Sequence, residues 1–202
     1  MRYLIILIIL STTYLFSQIE NAEIIIDSDI TFEAAIAGIN IPESIKSNLA
    51  LIDVYYYSFD DRLHQGQLLV HKSAAKDLIE IFDIMKEIRF PVYKAVPIVK
   101  YGWNDDVSMK ENNTSAFNYR KLKRTNIVSY HSKGLAVDIN PMQNPQIKSG
   151  KIAPEGSVYD KSMRGTLTES SQIVKEFRKR GWIWGGSWRS SKDYQHFEKR
   201  TN

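Results

Sequence analysis

Residues 129–138 read SYHSKGLAVD, and residues 193–198 read DYQHFE. Each stretch sets a histidine close to a carboxylate. Two imidazoles and one carboxylate make a three-ligand zinc site with its fourth position open for water, which is typical of a catalytic rather than a structural zinc. The two stretches together therefore suggest a metal centre, and the remaining sequence is interpreted around them.

The first stretch is predicted to place its carboxylate on a strand. Apolar side chains alternate along residues 135–139, which indicates a short strand with one core face. Asp138 lies on the opposite face beside Ala136, whose small side chain leaves room for an ion. Gly134 allows the chain to turn sharply after His131.

The second stretch follows the same period of two. It places His196 and Glu198 on one strand face, while Phe197 points to the core. Asp193 lies one short turn earlier, close enough to approach a water molecule that His196 helps to hold. Spacing alone leaves an ordinary alternative open, because a histidine is often a surface or hydrogen-bonded core residue and Asp138 can be a turn residue.

Composition limits the class of protein. The 202 residues suit one domain, and 43% hydrophobic with 25% charged residues describe a globular chain. The net charge of +4 comes from charges of both signs mixed along the chain, so we expect no nucleic-acid partner. No cysteine is present, which excludes disulfides and thiolate ligands, and a metal must be held by nitrogen and oxygen.

The N-terminus resembles a targeting segment. Arg2 precedes an apolar run over residues 4–10, and a small residue, Ser17, follows. This pattern predicts a secretory signal peptide over residues 1–17. The run is shorter than the roughly 20 residues of a membrane span, so we expect export and no membrane span after cleavage. An uncleaved anchor is the alternative.

Apolar, aromatic and turn-forming residues predict strands and helices joined by long loops, which indicates the α+β class. We expect an N-terminal extension over residues 18–49 and one domain over residues 50–202. The predicted strands are residues 51–59, 67–70, 97–99, 135–139, 182–184 and 195–198, the helices 74–88 and 169–180, and the long loops 101–118 and 141–166.

The order Ser-x-His-x-x-Gly-x-Ala-x-Asp followed by Asp-x-x-His resembles the zinc peptidases that cut bacterial cell-wall peptides. These are the VanY-type D-alanyl-D-alanine carboxypeptidases and the L-alanyl-D-glutamate endopeptidases of phage endolysins, which share a fold with the hedgehog signalling domain. Residues 113–120, 138–145 and 181–186 also resemble the family, and the similarity extends over residues 50–200. It implies a small antiparallel sheet that carries zinc, with helices packed on it.

The resemblance also implies roles for individual residues. His131, Asp138 and His196 match the three Zn²⁺ ligands. Asp193 matches the catalytic acid/base, and Arg120 matches the arginine that binds substrate and stabilises the oxyanion.

Two further residues are expected to support the site. Glu198 would orient a ligand histidine, although by chemistry alone it rivals Asp193 as the base, and Ser129 would support the first stretch. The chain departs from the family pattern at Ser187 and at residues 124–125, which puts specificity rather than chemistry in question.

The sequence therefore predicts an exported, monomeric zinc peptidase that acts on peptidoglycan stem peptides, as a carboxypeptidase or an endopeptidase. A non-catalytic zinc-containing binding domain of the same fold is the first alternative. It would keep the ligands and lose the acid/base, whereas Asp193 and Arg120 are both present. A wall-binding or structural protein without metal is the second.

Overall fold

A computed structural model describes residues 23–120 and 129–200 of the chain. The predicted signal peptide and the departure at residues 124–125 lie outside these ranges. The α-helices are α1 (Phe32–Ala35), α2 (Glu43–Lys46), α3 (Lys72–Glu87), α4 (Asp105–Lys110) and α5 (Gln172–Lys179). The strands are β1 (Ile25–Ile26), β2 (Leu49–Tyr57), β3 (Leu63–His71), β4 (Lys94–Ala95), β5 (Asn113–Thr114), β6 (Ala136–Asp138), β7 (Gln146–Lys148), β8 (Lys151–Ala153), β9 (Trp182–Trp184), β10 (Lys192–Asp193) and β11 (His196–Lys199). This mixture confirms the predicted α+β class.

A small antiparallel sheet in the order β6-β11-β9 carries the two sequence stretches quoted first. His196 pairs directly with Asp138, and Phe197 pairs with Val137 on one side and Trp184 on the other. Helix α5 covers the apolar face. The predicted arrangement of a small antiparallel sheet with helices packed on it is confirmed.

Stacking of Phe177 on Phe197, with ring centroids 3.8 Å apart, joins α5 to the central strand of this sheet. Both rings are fully buried. Burial of a side chain of this size contributes about 2–3 kcal/mol, so this contact anchors the strand that carries His196.

The second sheet has the order β1-β3-β2, and helix α3 packs on it. Its β2–β3 hairpin is longer than the sequence predicted, because pairing runs from Leu49↔His71 to Tyr57↔Leu63. Helix α3 begins at Lys72, two residues earlier than predicted. Its N-cap is His71, whose side chain accepts a hydrogen bond from Ser73 N at 3.1 Å.

Strands β4 and β5 connect the two sheets. Ser115 and Asp138 exchange backbone hydrogen bonds of 3.1 and 2.8 Å, and Thr114 pairs with Ala95. On the far side, β4 lies so close to β3 that a Cβ on Gly66 would come within 2.2 Å of Ala95 O. The strand that ends at Asp138 is therefore tied to the second sheet.

Three predictions for loops and strands were wrong. The region 101–118 contains helix α4 and strand β5, because the Asn104 side chain caps α4 by accepting from Val107 N. The predicted strand at residues 97–99 is a 3₁₀ turn, Ile98–Tyr101, that begins after a proline and ends at a left-handed glycine. The predicted loop 141–166 contains the β7–β8 hairpin.

Two buried asparagines hold the chain after β6. Asn140 accepts a hydrogen bond from Tyr93 N and donates one to Gly165 O, at 3.0 and 3.2 Å. Asn144 donates to the same oxygen at 2.9 Å and accepts from Leu167 N at 2.7 Å. Their amides therefore serve as partners for loop backbone that has no strand to pair with.

The described part of the N-terminal extension packs on the domain. Strand β1 pairs in parallel with β3, and Phe32 and Ile45 pack against a buried cluster of Leu49, Leu69 and Phe117. The domain boundary at residue 50 remains a prediction. Within the described residues, every helix is too short or too polar to cross a membrane.

Gly134 makes a testable contribution to stability. Its φ is +68°, and a Cβ would lie 2.4 Å from His71 N, whereas Gly150 has φ +74° with nothing within 4 Å. We expect Gly150→Ala to cost about 1–2 kcal/mol from the left-handed backbone alone. Gly134→Ala should cost about 1–3 kcal/mol more, because the backbone of His71 must move. Denaturant unfolding measures both, and equal losses would contradict the close approach.

Candidate metal centre

His131 lies in a 3₁₀ turn, His131–Lys133, that Gly134 ends in the left-handed conformation. Its Nδ1 donates a hydrogen bond to Ala116 O at 2.6 Å. This contact fixes the ring and leaves Nε2 as the atom that faces the interior of the site. A ligand histidine is generally oriented in this way by a hydrogen bond at its other nitrogen.

Asp138 and His196 come from neighbouring strands. They are directly paired in the β6–β11 ladder, so their side chains lie on the same face of the sheet. His196 Nδ1 is 2.9 Å from Asp138 Oδ1. Sequence separation between the two is 58 residues, and the strand pairing alone brings them together.

The three side chains meet as a buried cluster in which one ligand atom from each lies within 4.8 Å of the others. His131 Nε2 is 3.1 Å from His196 Nδ1 and 3.3 Å from Asp138 Oδ2. Two imidazole nitrogens and a carboxylate oxygen directed at one point suit a divalent transition metal, and zinc in particular accepts this donor set. The cluster could therefore hold a metal ion.

Electrostatics within the cluster follow from its burial. Burial raises the pKa of Asp138, but contacts with His131 and His196 outweigh it and hold that pKa well below the usual range. Burial lowers the pKa of His196, but its contacts with Asp138 and Glu198 outweigh burial and raise it to about 10. In the absence of a metal, the contacts within the cluster thus favour an ionised Asp138 and a protonated His196.

Glu198 lies behind the cluster. Its Oε2 is 3.5 Å from His196 Nε2, on the same strand face as predicted. The hydrogen bond with His196 lowers the pKa of Glu198, and Arg200 adds to the effect. Glu198 therefore contacts the nitrogen of His196 that faces away from the cluster, and Nδ1 remains directed into it.

Asp193 lies at the end of β10, buried next to the cluster. Its Oδ2 accepts a hydrogen bond of 2.6 Å from Gln146 Nε2. Its Oδ1 is buried and has no partner among the described residues. Burial and the charge of nearby Asp138 raise the pKa of Asp193 to about 6, where a carboxyl group can both accept and donate a proton near neutral pH.

Gly185 and Trp188 enclose the site on one side. A Cβ on Gly185 would come within 2.6 Å of Asp193 O and 3.3 Å of His196 Cβ, so only glycine fits there. The Trp188 ring lies 5.4 Å from the His196 ring. Trp182 and Trp184 are buried in the core.

Arg120 is not part of the cluster in the described residues. Its guanidinium pairs with Asp105 Oδ2 at 2.8 Å, and Asn118 Nδ2 donates to the other oxygen of Asp105 at 3.2 Å. The backbone N–H of Arg120 donates to Ser132 Oγ at 2.7 Å, which ties it to the turn that carries His131. Arg120 thus lies beside the site, half-exposed.

Ser129 supports the turn rather than a ligand ring. Its side-chain oxygen accepts from Ser132 N at 3.4 Å and its carbonyl accepts from the same N–H at 3.0 Å. Sequence reasoning missed Gln146, Asp105 and the Ala116 carbonyl. Backbone carbonyls leave no signal in side-chain patterns, and the other two residues lie in regions that were predicted as loops.

The fold and the cluster define an α+β protein with a centre that could hold a metal. Residues 123–199 match the model of a family described as D-alanyl-D-alanine carboxypeptidase, and this match confirms the resemblance drawn from the sequence. The matched span contains the three clustered side chains and Asp193 but not Arg120. It supports peptidase activity on a peptide substrate. A search of curated proteins and a search of solved structures each found no significant match.

Removal of a clustered histidine should abolish metal binding. Loss of a residue that only supports a metal ligand lowers metal affinity about 10–100-fold. We expect His131→Ala and His196→Ala to lower metal affinity by more than that. His71→Ala is the matched control, because that histidine caps α3 and contacts Ser73 instead. Metal content after dialysis, measured by mass spectrometry, tests this, and equal retention in all variants would contradict the assignment.

Metal affinity should also fall in acid. A metal ion bound at His196 Nδ1 must displace the proton that the raised pKa of about 10 retains there at neutral pH. Each displaced proton lowers the apparent affinity about tenfold per unit of decreasing pH. Equilibrium dialysis against zinc from about pH 8 to about pH 4 measures the slope. Unchanged zinc content at the acid end would count against these ligands.

Proposed function

We propose that this protein is an exported zinc peptidase that hydrolyses peptide bonds in peptidoglycan stem peptides. The observation that carries the proposal is the buried cluster of His131, Asp138 and His196, with Asp193 beside it. The family match over residues 123–199 supports the choice of a peptide substrate. The cell-wall substrate and export rest on the resemblance and on the N-terminal sequence.

Zinc fits the donor set of the cluster. His131 Nε2, Asp138 and His196 Nδ1 would hold it, and the chain offers no thiolate. When bound, zinc supplies a Lewis acid that makes water a nucleophile near neutral pH and polarises the scissile carbonyl. The protein side chains then have to move protons and orient the peptide.

Asp193 is assigned the proton transfers. It accepts a proton from water at Oδ1 while the water oxygen bonds to the carbonyl carbon, and it returns that proton to the nitrogen as the C–N bond breaks. Burial raises the pKa of Asp193 above the usual range of a carboxyl group. A carboxyl group whose pKa lies closer to neutrality is suited both to accept and to donate a proton.

Arg120 is assigned to substrate binding, as the resemblance implies. Its backbone N–H bonds to the turn of His131, its guanidinium pairs with Asp105, and 43% of its side chain is exposed. A planar cation in this position can bind a carboxylate or the developing oxyanion of the substrate. Carboxypeptidase and endopeptidase activity both use such a group, so the bond cleaved is left to experiment.

Muropeptide cleavage tests this proposal. Zinc-loaded wild-type protein should either release a terminal D-alanine or cleave the bond between L-Ala and D-Glu. Mass spectrometry of the products distinguishes the two reactions. Asp193→Ala should lower the rate about 100- to 10,000-fold, the usual contribution of a positioned acid/base.

The zinc content of Asp193→Ala is the control, because Asp193 is not assigned as a ligand and the metal should stay bound. A wild-type protein that is fully loaded with zinc and cleaves no muropeptide would favour the non-catalytic binding domain.

A further inference from the structure

Gln146 and Asp193 form a cross-strand pair in a sheet separate from the one that carries the metal centre. The order of this sheet is β10-β7-β8, and Asp193 is directly opposite Gln146. Residues that are directly opposite in an antiparallel pair have side chains on the same face, about 4.5–5.5 Å apart at Cβ. The 2.6 Å hydrogen bond from Gln146 Nε2 to Asp193 Oδ2 is therefore built into the strand register.

The second oxygen of Asp193 has a different environment. Oδ1 is buried and has no hydrogen-bond donor within 3.5 Å in residues 23–120 and 129–200, and the Gln195 side chain is a second amide near enough to lower the pKa of Asp193. A buried carboxylate oxygen without a donor has lost its hydration with nothing in exchange, so it calls for an explanation. The backbone of Asp193 cannot move away to relieve the cost, because Gly185 lies against its carbonyl and Tyr194 N bonds to Pro145 O at 3.2 Å.

We propose that Gln146 is a positioning residue, which holds Asp193 by Oδ2 so that Oδ1 alone is presented to the reacting water and leaving amine. This inference rests on the proposed function of the site. The β7–β8 hairpin then has a defined role, since it brings a hydrogen-bond donor to a carboxyl group that belongs to another sheet.

An uncharged donor suits this role. A lysine or arginine at position 146 could hold the same oxygen, but its positive charge would stabilise the ionised carboxylate and weaken it as a proton acceptor. An amide N–H restrains the carboxyl group without adding a charge.

Gln146→Met tests the inference, because methionine keeps the length of the side chain and removes the donor. Lys148→Met is the matched control, at an exposed position two residues along the same strand. We expect Gln146→Met to lower kcat on a D-Ala-D-Ala-terminated stem pentapeptide on the order of 10–100-fold, with KM and zinc content unchanged. The thermal midpoint should fall as well, because buried Asp193 Oδ2 loses its donor, so kcat is compared at a temperature where the variant is folded. Lys148→Met should match the wild type.

A second readout does not depend on activity. The ¹³C resonance of the Asp193 carboxyl group, assigned by its loss in Asp193→Ala, should shift or broaden in zinc-free Gln146→Met and stay unchanged in Lys148→Met. An unchanged resonance, or a full kcat in Gln146→Met, would overturn the inference. A wild-type protein without peptidase activity would overturn the proposed function instead, and the carboxyl resonance would still decide whether Gln146 holds Asp193.

Discussion

The carboxylate of Asp138 lies buried between two imidazoles, and the need to compensate that charge constrains the architecture around it. A buried ion costs several kcal/mol unless partners surround it. Here the partners come from the direct pairing of β6 with β11 and from a turn held by the Ala116 carbonyl. A slip of one residue in the β6–β11 register would turn His196 into the core and Phe197 out of it. Burial of Phe197 under α5 therefore fixes the register, and the register places His196 beside Asp138.

Two buried asparagine side chains hold the backbone that follows the β6–β11–β9 sheet. Asn140 and Asn144 lie two and six residues after Asp138, and they bond backbone groups of two separate segments, one at Tyr93 and one at Gly165 and Leu167. An apolar residue at either position would leave those buried groups unpaired, at about 1–3 kcal/mol each. The two amides thus hold the long connection after β6 against the body of the protein. The β7–β8 hairpin begins from this fixed point and reaches Asp193.

Sequence reasoning predicted what periodicity and side-chain chemistry encode. The strand faces of residues 135–139 and 195–198 were readable because the alternation of apolar and polar residues reports burial directly. Helix α4 and the β7–β8 hairpin could not be predicted in this way. They are short and polar, and caps and cross-strand contacts stabilise them instead of an apolar face. Gln146 was missed for that reason. Its function depends on which strand lies opposite, and local sequence does not specify a partner 47 residues away.

Asp193 and Glu198 flank the same histidine, and their surroundings separate their chemistry. Contacts with His196 and Arg200 lower the pKa of Glu198. Glu198 therefore remains ionised and is poorly suited to carry a proton. Burial and the charge of Asp138 raise the pKa of Asp193 to about 6. One oxygen of Asp193 has no hydrogen-bond partner within the described residues. Two carboxylates whose environments push their pKa values apart are suited to different roles. This contrast supports Asp193 as the acid/base and leaves Glu198 to orient the ring of His196.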